Sequence, residues 1–264
     1  MTMAIQKWLL FLFLHINLHD LILAQLPDLV YASCGDKGNY TENSVYQKNL
    51  NSLLSTLSSN MDKHGFYHAS IGQNSDMVSA IVLCRGDLEV QECRNCVNNV
   101  TQKLVQSCPY KQEAFGGYDG CMLQYSNRSI SDATSYSVLY YRCNSGNASK
   151  PEEFNQERNK LFDYLLTRAA DGGPLRKYAS GNATGPDFQT VYALVQCTPD
   201  LSPQHCFNCL AGVTYRNMTL CNGKRGGRII GPSCNFRYES YSFFKDVALE
   251  APPPAGELHL ADLI

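Results

Sequence analysis

Two cysteine pairs, Cys93 with Cys96 and Cys206 with Cys209, have the Cys-x-x-Cys spacing that can hold zinc as thiolates or cycle between dithiol and disulfide. Zinc is a poor reading. Four thiolates from these pairs would leave eight of the 12 cysteines without a use. A cysteine nucleophile needs a base beside it in space, and His205 neighbours Cys206 only along the chain. Motifs of other chemistries, G-x-S-x-G, H-E-x-x-H, a P-loop or a kinase signature set, are missing from the sequence. The chain therefore reads as non-catalytic, with no metal and no cofactor expected. Arg85-Gly86-Asp87 spells an integrin-type tripeptide, but its residue types suit a turn leading into a helix. Arg216, Lys224, Arg225, Arg228 and Arg237 form a basic cluster within 22 residues. Such a patch suits an acidic polysaccharide, or is simply a solvated loop. Over the whole chain 22 basic residues face 24 acidic ones, which gives no electrostatic case for nucleic acid or an anionic membrane.

The spacing of the cysteines also reveals how the chain is organised. Cys84, Cys93, Cys96, Cys108 and Cys121 recur 113 residues later as Cys197, Cys206, Cys209, Cys221 and Cys234, and Cys34 recurs as Cys143 at 109. The text between them agrees, AIVLCRGDLEVQECRNC facing YALVQCTPDLSPQHCFNC, so the chain is a tandem duplication. We place the first domain at 25–142 and the second at 143–250. Residues 25–142 carry 9 basic and 11 acidic side chains, and residues 143–250 carry 12 and 10.

Each copy should contain two helices. Val45, Leu50, Leu53, Leu54 and Leu57 share one helical face, as do Phe154, Leu161, Phe162, Leu165 and Ala169. A second helix should start near Glu89 and near Ser202, carrying its cysteine pair on one side. Strand-like runs surround them: MVSAIVLC, CMLQY and SYSVLYY in the first copy, FQTVYALVQC, GRIIG and CNFRYESYSFF in the second. Tyr136–Tyr141 closes the first copy in this reading, and Arg142 leads directly into Cys143. The fold class is α+β, two helices packed on an antiparallel sheet in each of two tandem domains.

Residues 1–24 have the form of a secretory leader: Lys7, the apolar run Trp8–Leu14, and Ala24 ahead of Gln25. His15, Asn17, His19 and Asp20 interrupt the run short of a membrane span. An oxidising route favours disulfides. It also makes six sequons usable for glycosylation, at Asn39, Asn99, Asn127, Asn147, Asn182 and Asn217. Residues 251–264 begin with Ala251-Pro252-Pro253-Pro254 and read as a disordered Pro-rich tail.

Cys-x8-Cys-x2-Cys, present twice in register, resembles the plant ginkbilobin-homologous, or stress-antifungal, domain. That domain occurs singly in antifungal seed proteins and as tandem pairs in cysteine-rich repeat secretory proteins and receptor-like kinases. The resemblance implies a sheet of about five strands and three disulfides per domain. It pairs Cys34 with Cys108, Cys84 with Cys93 and Cys96 with Cys121, then Cys143 with Cys221, Cys197 with Cys206 and Cys209 with Cys234; sequence alone leaves 15 pairings per six cysteines. It also implies a mannose site made of an Asn after the first cysteine, an Arg seven residues after the fifth and a Glu five after the sixth. The second copy has all three, as Asn144, Arg228 and Glu239, whereas the first has Gly35, Phe115 and Ser126. The implied function is a non-catalytic binding protein secreted to the apoplast for plant defence or signalling. Its partner would be cell-wall or fungal carbohydrate such as mannan. The alternative is a protein-interaction ectodomain, a shortened receptor-like kinase, that binds an extracellular protein and no sugar.

Overall fold

Helix α1 (Val45–Asn60) starts where the Ser44 hydroxyl accepts a hydrogen bond from the Gln47 backbone N–H at 3.2 Å. The computed structural model describes residues 28–36, 38–130, 138–173 and 176–245. Residues 1–24, read as a leader, and 251–264, read as a Pro-rich tail, lie outside them. Tyr46, Leu50, Leu53, Leu54 and Leu57 make the buried stripe of α1, spaced at three and four residues. Val45, read as part of that face, is 55 % exposed, because the stripe begins one position later at Tyr46. Helix α2 (Val90–Ser107) opens with a reciprocal capping box between Glu89 and Glu92 and buries Cys93, Val97, Val100 and Leu104. In the second unit α3 (Pro151–Ala170) and α4 (Pro203–Leu220) each place proline in the first turn, where its missing N–H costs nothing. Ser202 caps α4 by accepting from the His205 N–H at 3.2 Å.

Both helices of each unit lie on one face of a five-stranded antiparallel sheet. The first sheet comprises β1 (Tyr31–Cys34), β2 (Phe66–Ile71), β3 (Val78–Cys84), β4 (Ala114–Gly117) and β5 (Cys121–Ser126), in the order β1-β4-β5-β3-β2. The second comprises β6 (Tyr140–Cys143), β7 (Lys177–Thr184), β8 (Thr190–Cys197), β9 (Gly227–Ile230) and β10 (Cys234–Glu239), in the order β6-β9-β10-β8-β7. The two sheets share one topology. Tyr140 and Tyr141, expected to close the first copy, instead open the second sheet, where Arg142 stands opposite Arg228. The reason lies in the repeat: Cys143 is the counterpart of Cys34, which ends β1, so the strand before it is the second unit's β1.

Six disulfides, three per unit, tie helices to strands: Cys34–Cys108, Cys84–Cys93, Cys96–Cys121, Cys143–Cys221, Cys197–Cys206 and Cys209–Cys234. The pair closing the strand-to-helix turn spans 9 residues and the pair anchoring the first strand spans 74 in the first unit. On chain-entropy grounds these are worth about 2.6 and about 4.5 kcal/mol.

Strand β3 is buried at every position, although half-covered strands normally alternate. Val78, Ala80 and Val82 face the helices, while Ile81 and Leu83 enter a separate apolar cluster between the units. That cluster joins Tyr31, Phe115 and Met122 to Ile230 of the second sheet, and the rings of Tyr31 and Tyr140 stack with centroids 5.3 Å apart. Polar contacts frame it. Gln196 donates to the Cys84 carbonyl at 2.9 Å, Arg176 donates to the Gly86 carbonyl, and the Lys245 N–H donates to the Asp87 carboxylate at 2.8 Å. The two units thus pack through the sheet faces turned away from their helices.

Candidate functional site

Asn144 follows the last residue of β6. Its backbone N–H donates to the Gly226 carbonyl at 2.8 Å, and its Oδ1 accepts from the Gly146 N–H at 2.9 Å, an Asx turn that fixes the side chain. Arg228 sits on β9 between Arg142 of β6 and Arg237 of β10, directly opposite both. Glu239 ends β10, where its Oε1 accepts from Nε and Nη2 of Arg237, each at 3.1 Å. Gly226 permits this arrangement, since a Cβ there would run into the Glu239 carboxylate. The three sequence-selected residues line one groove of about 510 Å³, together with Tyr140, Arg142 and Tyr241.

The groove has a wall that sequence reasoning did not supply. Asp119, from the turn between β4 and β5 of the first unit, forms ion pairs with Arg228, with Arg237 at 2.6 Å and with Arg85 at 2.6 Å. Nothing in the Tyr118-Asp119-Gly120 turn marks it as functional. The side chains of Arg228 and Glu239 are only 13 % exposed. Burial, with the nearby charges of Arg237 and Arg85 adding to it, pushes the Arg228 pKa down to about 10. Arg228 is therefore a desolvated cation whose fork is shared between Asp119 and the groove.

The first unit offers no equivalent. Phe115, which stands where Arg228 does, is buried in the cluster between the units. Of the basic cluster only Arg228 and Arg237 line the groove. Lys224 turns instead to Asn147 Oδ1 at 2.8 Å, and Arg225 lies against Gly146. Arg85-Gly86-Asp87 is internal. Arg85 pairs with Asp87 at 2.6 Å, the Asp87 side chain is fully buried, and Tyr178 of the second unit covers Gly86.

Among the proposed glycosylation sites, Asn39, Asn147 and Asn182 are exposed, and Asn99 and Asn127 half-buried. Asn217 differs from the other five. It is 0 % exposed within α4, with no room at its Nδ2 for a sugar. All 12 cysteines are disulfide-bonded, and among the described residues no group of three or more His, Cys, Asp or Glu is placed to hold a metal. No described helix is long and apolar enough to cross a membrane.

The family model for salt stress response/antifungal proteins matches residues 33–128 and 142–241, one match per unit. Cysteine-rich repeat secretory protein 38 of Arabidopsis thaliana is 35 % identical over 217 residues, covering 82 % of this chain and 86 % of that protein. An antimicrobial ginkbilobin-2-like protein of Castanea crenata is 36 % identical over 233 residues, covering 88 % and 95 %. Cysteine-rich receptor-like protein kinase 29 of Arabidopsis thaliana is 38 % identical over 229 residues, which are 84 % of this chain but 34 % of the kinase, so the chain spans about a third of that relative. The crystal structure of the tandem DUF26 ectodomain of the Arabidopsis thaliana cysteine-rich receptor-like protein PDLP8 superposes with a TM-score of 0.71 at 24 % identity, covering 80 % of this chain and 98 % of that one. This likeness concerns the fold. With two matches of the family model, two like sheets and one shared disulfide pattern, the chain belongs to the salt stress response/antifungal family as a tandem pair of its domains.

Proposed function

We propose that this chain is a secreted, non-catalytic recognition protein of plant defence or signalling, and that the groove of the second unit holds a hexose of the mannose type. The observation that carries this reading is the convergence of Asn144, Arg228 and Glu239 on one groove. Their chemistry suits vicinal hydroxyls. The Asn144 amide donates through Nδ2 while its Oδ1 is held in the turn, the Glu239 carboxylate accepts, and Arg228 donates from the groove wall. Tyr140 and Tyr241 add ring surface for the apolar face of a sugar. The extracellular setting rests on the leader-like start, the six disulfides and the relatives named as secretory and antimicrobial proteins.

The test is retention of the oxidised protein on immobilised mannan, with elution by free mannose. Asn144→Ala and Glu239→Gln should each release it. Retention unchanged by both substitutions, or no retention of the parent protein, overturns the reading.

A second reading, protein recognition, rests on Phe188. This ring is 94 % exposed at the β7–β8 turn, and both Asp187 and Phe188 have left-handed backbone, φ 53° and 57°. Such strain in non-glycine residues is concentrated at functional positions. Copurification of an extracellular protein that Phe188→Ala abolishes and mannose leaves intact favours this reading.

A further inference from the structure

Arg142, Arg228 and Arg237 stand in one row across β6, β9 and β10, each directly opposite the next. Directly opposed residues of antiparallel strands share a face with Cβ atoms about 5 Å apart, and like charges so placed repel. Two of the three are compensated. Asp119 pairs with Arg228 and Arg237, and Glu239 pairs with Arg237. Arg85, the remaining cation at Asp119, has Asp87 as well. Arg142 differs: it is exposed, it lines the groove beside Asn144, and among the described residues it has no carboxylate partner. Four guanidinium groups thus meet three carboxylates, and the unmatched positive charge falls on Arg142 at the accessible side of the groove.

We propose, building on the sugar-binding reading of this groove, that its preferred ligand is an oligosaccharide containing hexuronic acid, whose carboxylate is taken by Arg142 next to Asn144. A planar carboxylate matches the guanidinium fork in a paired geometry that a neutral hydroxyl cannot reproduce. The single unmatched charge suits a monoanion, since Asp119 and Glu239 in the same groove repel a dianion such as a phosphate monoester. Arg228 and Arg237, already engaged by these two carboxylates, position the sugar ring and do not hold the acid group.

Calorimetric titration of the full, oxidised protein with a galacturonate trisaccharide left with one free carboxylate, with its fully methyl-esterified form and with mannotriose tests this. The acid form should bind at least tenfold more tightly than the ester, with an affinity that falls as salt is raised. Arg142→Gln should erase the difference between acid and ester. Arg142 is exposed and, among the described residues, makes no ion pair, so this variant should not lower the parent's melting temperature. Equal binding of acid and ester, failure of the acid form to bind, or a preference that survives Arg142→Gln overturns the proposal. If mannotriose still binds in those cases, the sugar-binding reading stands by itself. Loss of mannotriose binding in the parent protein removes that reading too.

Discussion

The Arg237 Nη1 atom lies 2.6 Å from Asp119 Oδ1, an ion pair that crosses from the second unit to the first. The same carboxylate meets Arg228 and Arg85, so one acidic side chain is shared by three guanidinium groups from both units. The groove is consequently a property of the docked pair of units.

Replacing that carboxylate tests the coupling. Asp119→Asn keeps the size of the side chain but leaves Arg228 and Arg237, each about 15 % exposed or less, without their shared counter-charge. Asp119 itself is 44 % exposed, so solvent softens the loss, and we expect a destabilisation of about 1–2 kcal/mol. Differential scanning calorimetry should show a fall in melting temperature of roughly 2–5 °C. Hydrogen exchange should rise along β4, β9 and β10. An unchanged melting temperature together with unchanged exchange refutes the coupling.

Gly86 carries a steric prediction. A Cβ at this position would lie 2.6 Å from carbons of the Tyr178 ring, inside any normal contact. Gly86→Ala should therefore cost about 1–3 kcal/mol. The Gly86→Ala penalty should shrink in a Tyr178→Ala background, which a double-mutant cycle by urea unfolding measures. The same burial predicts that the folded protein gives no Arg-Gly-Asp-dependent cell adhesion, because the Asp87 side chain has no exposed surface.

Asn217 carries a prediction about modification and stability together. Its Nδ2 and Oδ1 are buried without a protein hydrogen-bond partner, whereas the corresponding residue of the first unit is Leu104, also fully buried. Peptide mapping of the protein expressed through a eukaryotic secretory route should find Asn217 unglycosylated. Asn217→Leu should leave the glycoform pattern unaltered and raise stability by about 1 kcal/mol. A glycopeptide at Asn217 contradicts the burial of this side chain.

Acid should loosen one contact between the units. Lys245 Nζ donates to both carboxylate oxygens of Glu92 at 2.7 Å, and this bond, followed by the one from the Glu89 N–H, holds the Glu92 pKa below its ordinary 4.5. The folded carboxyl then binds a proton less readily than the unfolded one. Its contribution is complete above about pH 4.5 and disappears as the pH falls through the depressed folded value. Glu92→Gln should flatten that part of the melting-temperature profile between pH 6 and 3. Because both groups are solvent-facing, 0.5 M salt should shrink the difference. A profile identical to the parent's refutes the contact's role.

Much of the architecture is legible in residue types. Ser202 followed by Pro203 marks the start of α4, and the buried stripe of α3 follows its apolar spacing through Phe154, Leu161, Phe162, Leu165 and Ala169. Strands β2 and β7 are harder to read. FYHASI and KYASGNAT are rich in polar and small residues, in keeping with strands at sheet edges, where one side of the ladder is open and burial is partial. Conversely, the uninterrupted apolar text of β3 looks like an ordinary buried strand, and only the packed units show that its second face is covered by a neighbouring domain. The candidate triad is located through the family resemblance, with the cysteines as the ruler, but the charge state of its surroundings is not legible in the sequence.

The sequence by itself determined the number of units and the placement of their helices, because both follow from local spacing: a cysteine ladder repeated at 113 residues, caps at helix starts and apolar periodicity. Tertiary structure decided which surfaces remain available. Phe115 is hidden, Asp87 and Asn217 are buried, Arg228 is engaged by Asp119, and Arg142 is left facing the groove. Burial and ion pairing depend on distances through space. The Arg237–Asp119 bond joins residues 118 positions apart, a relationship that no window of sequence contains.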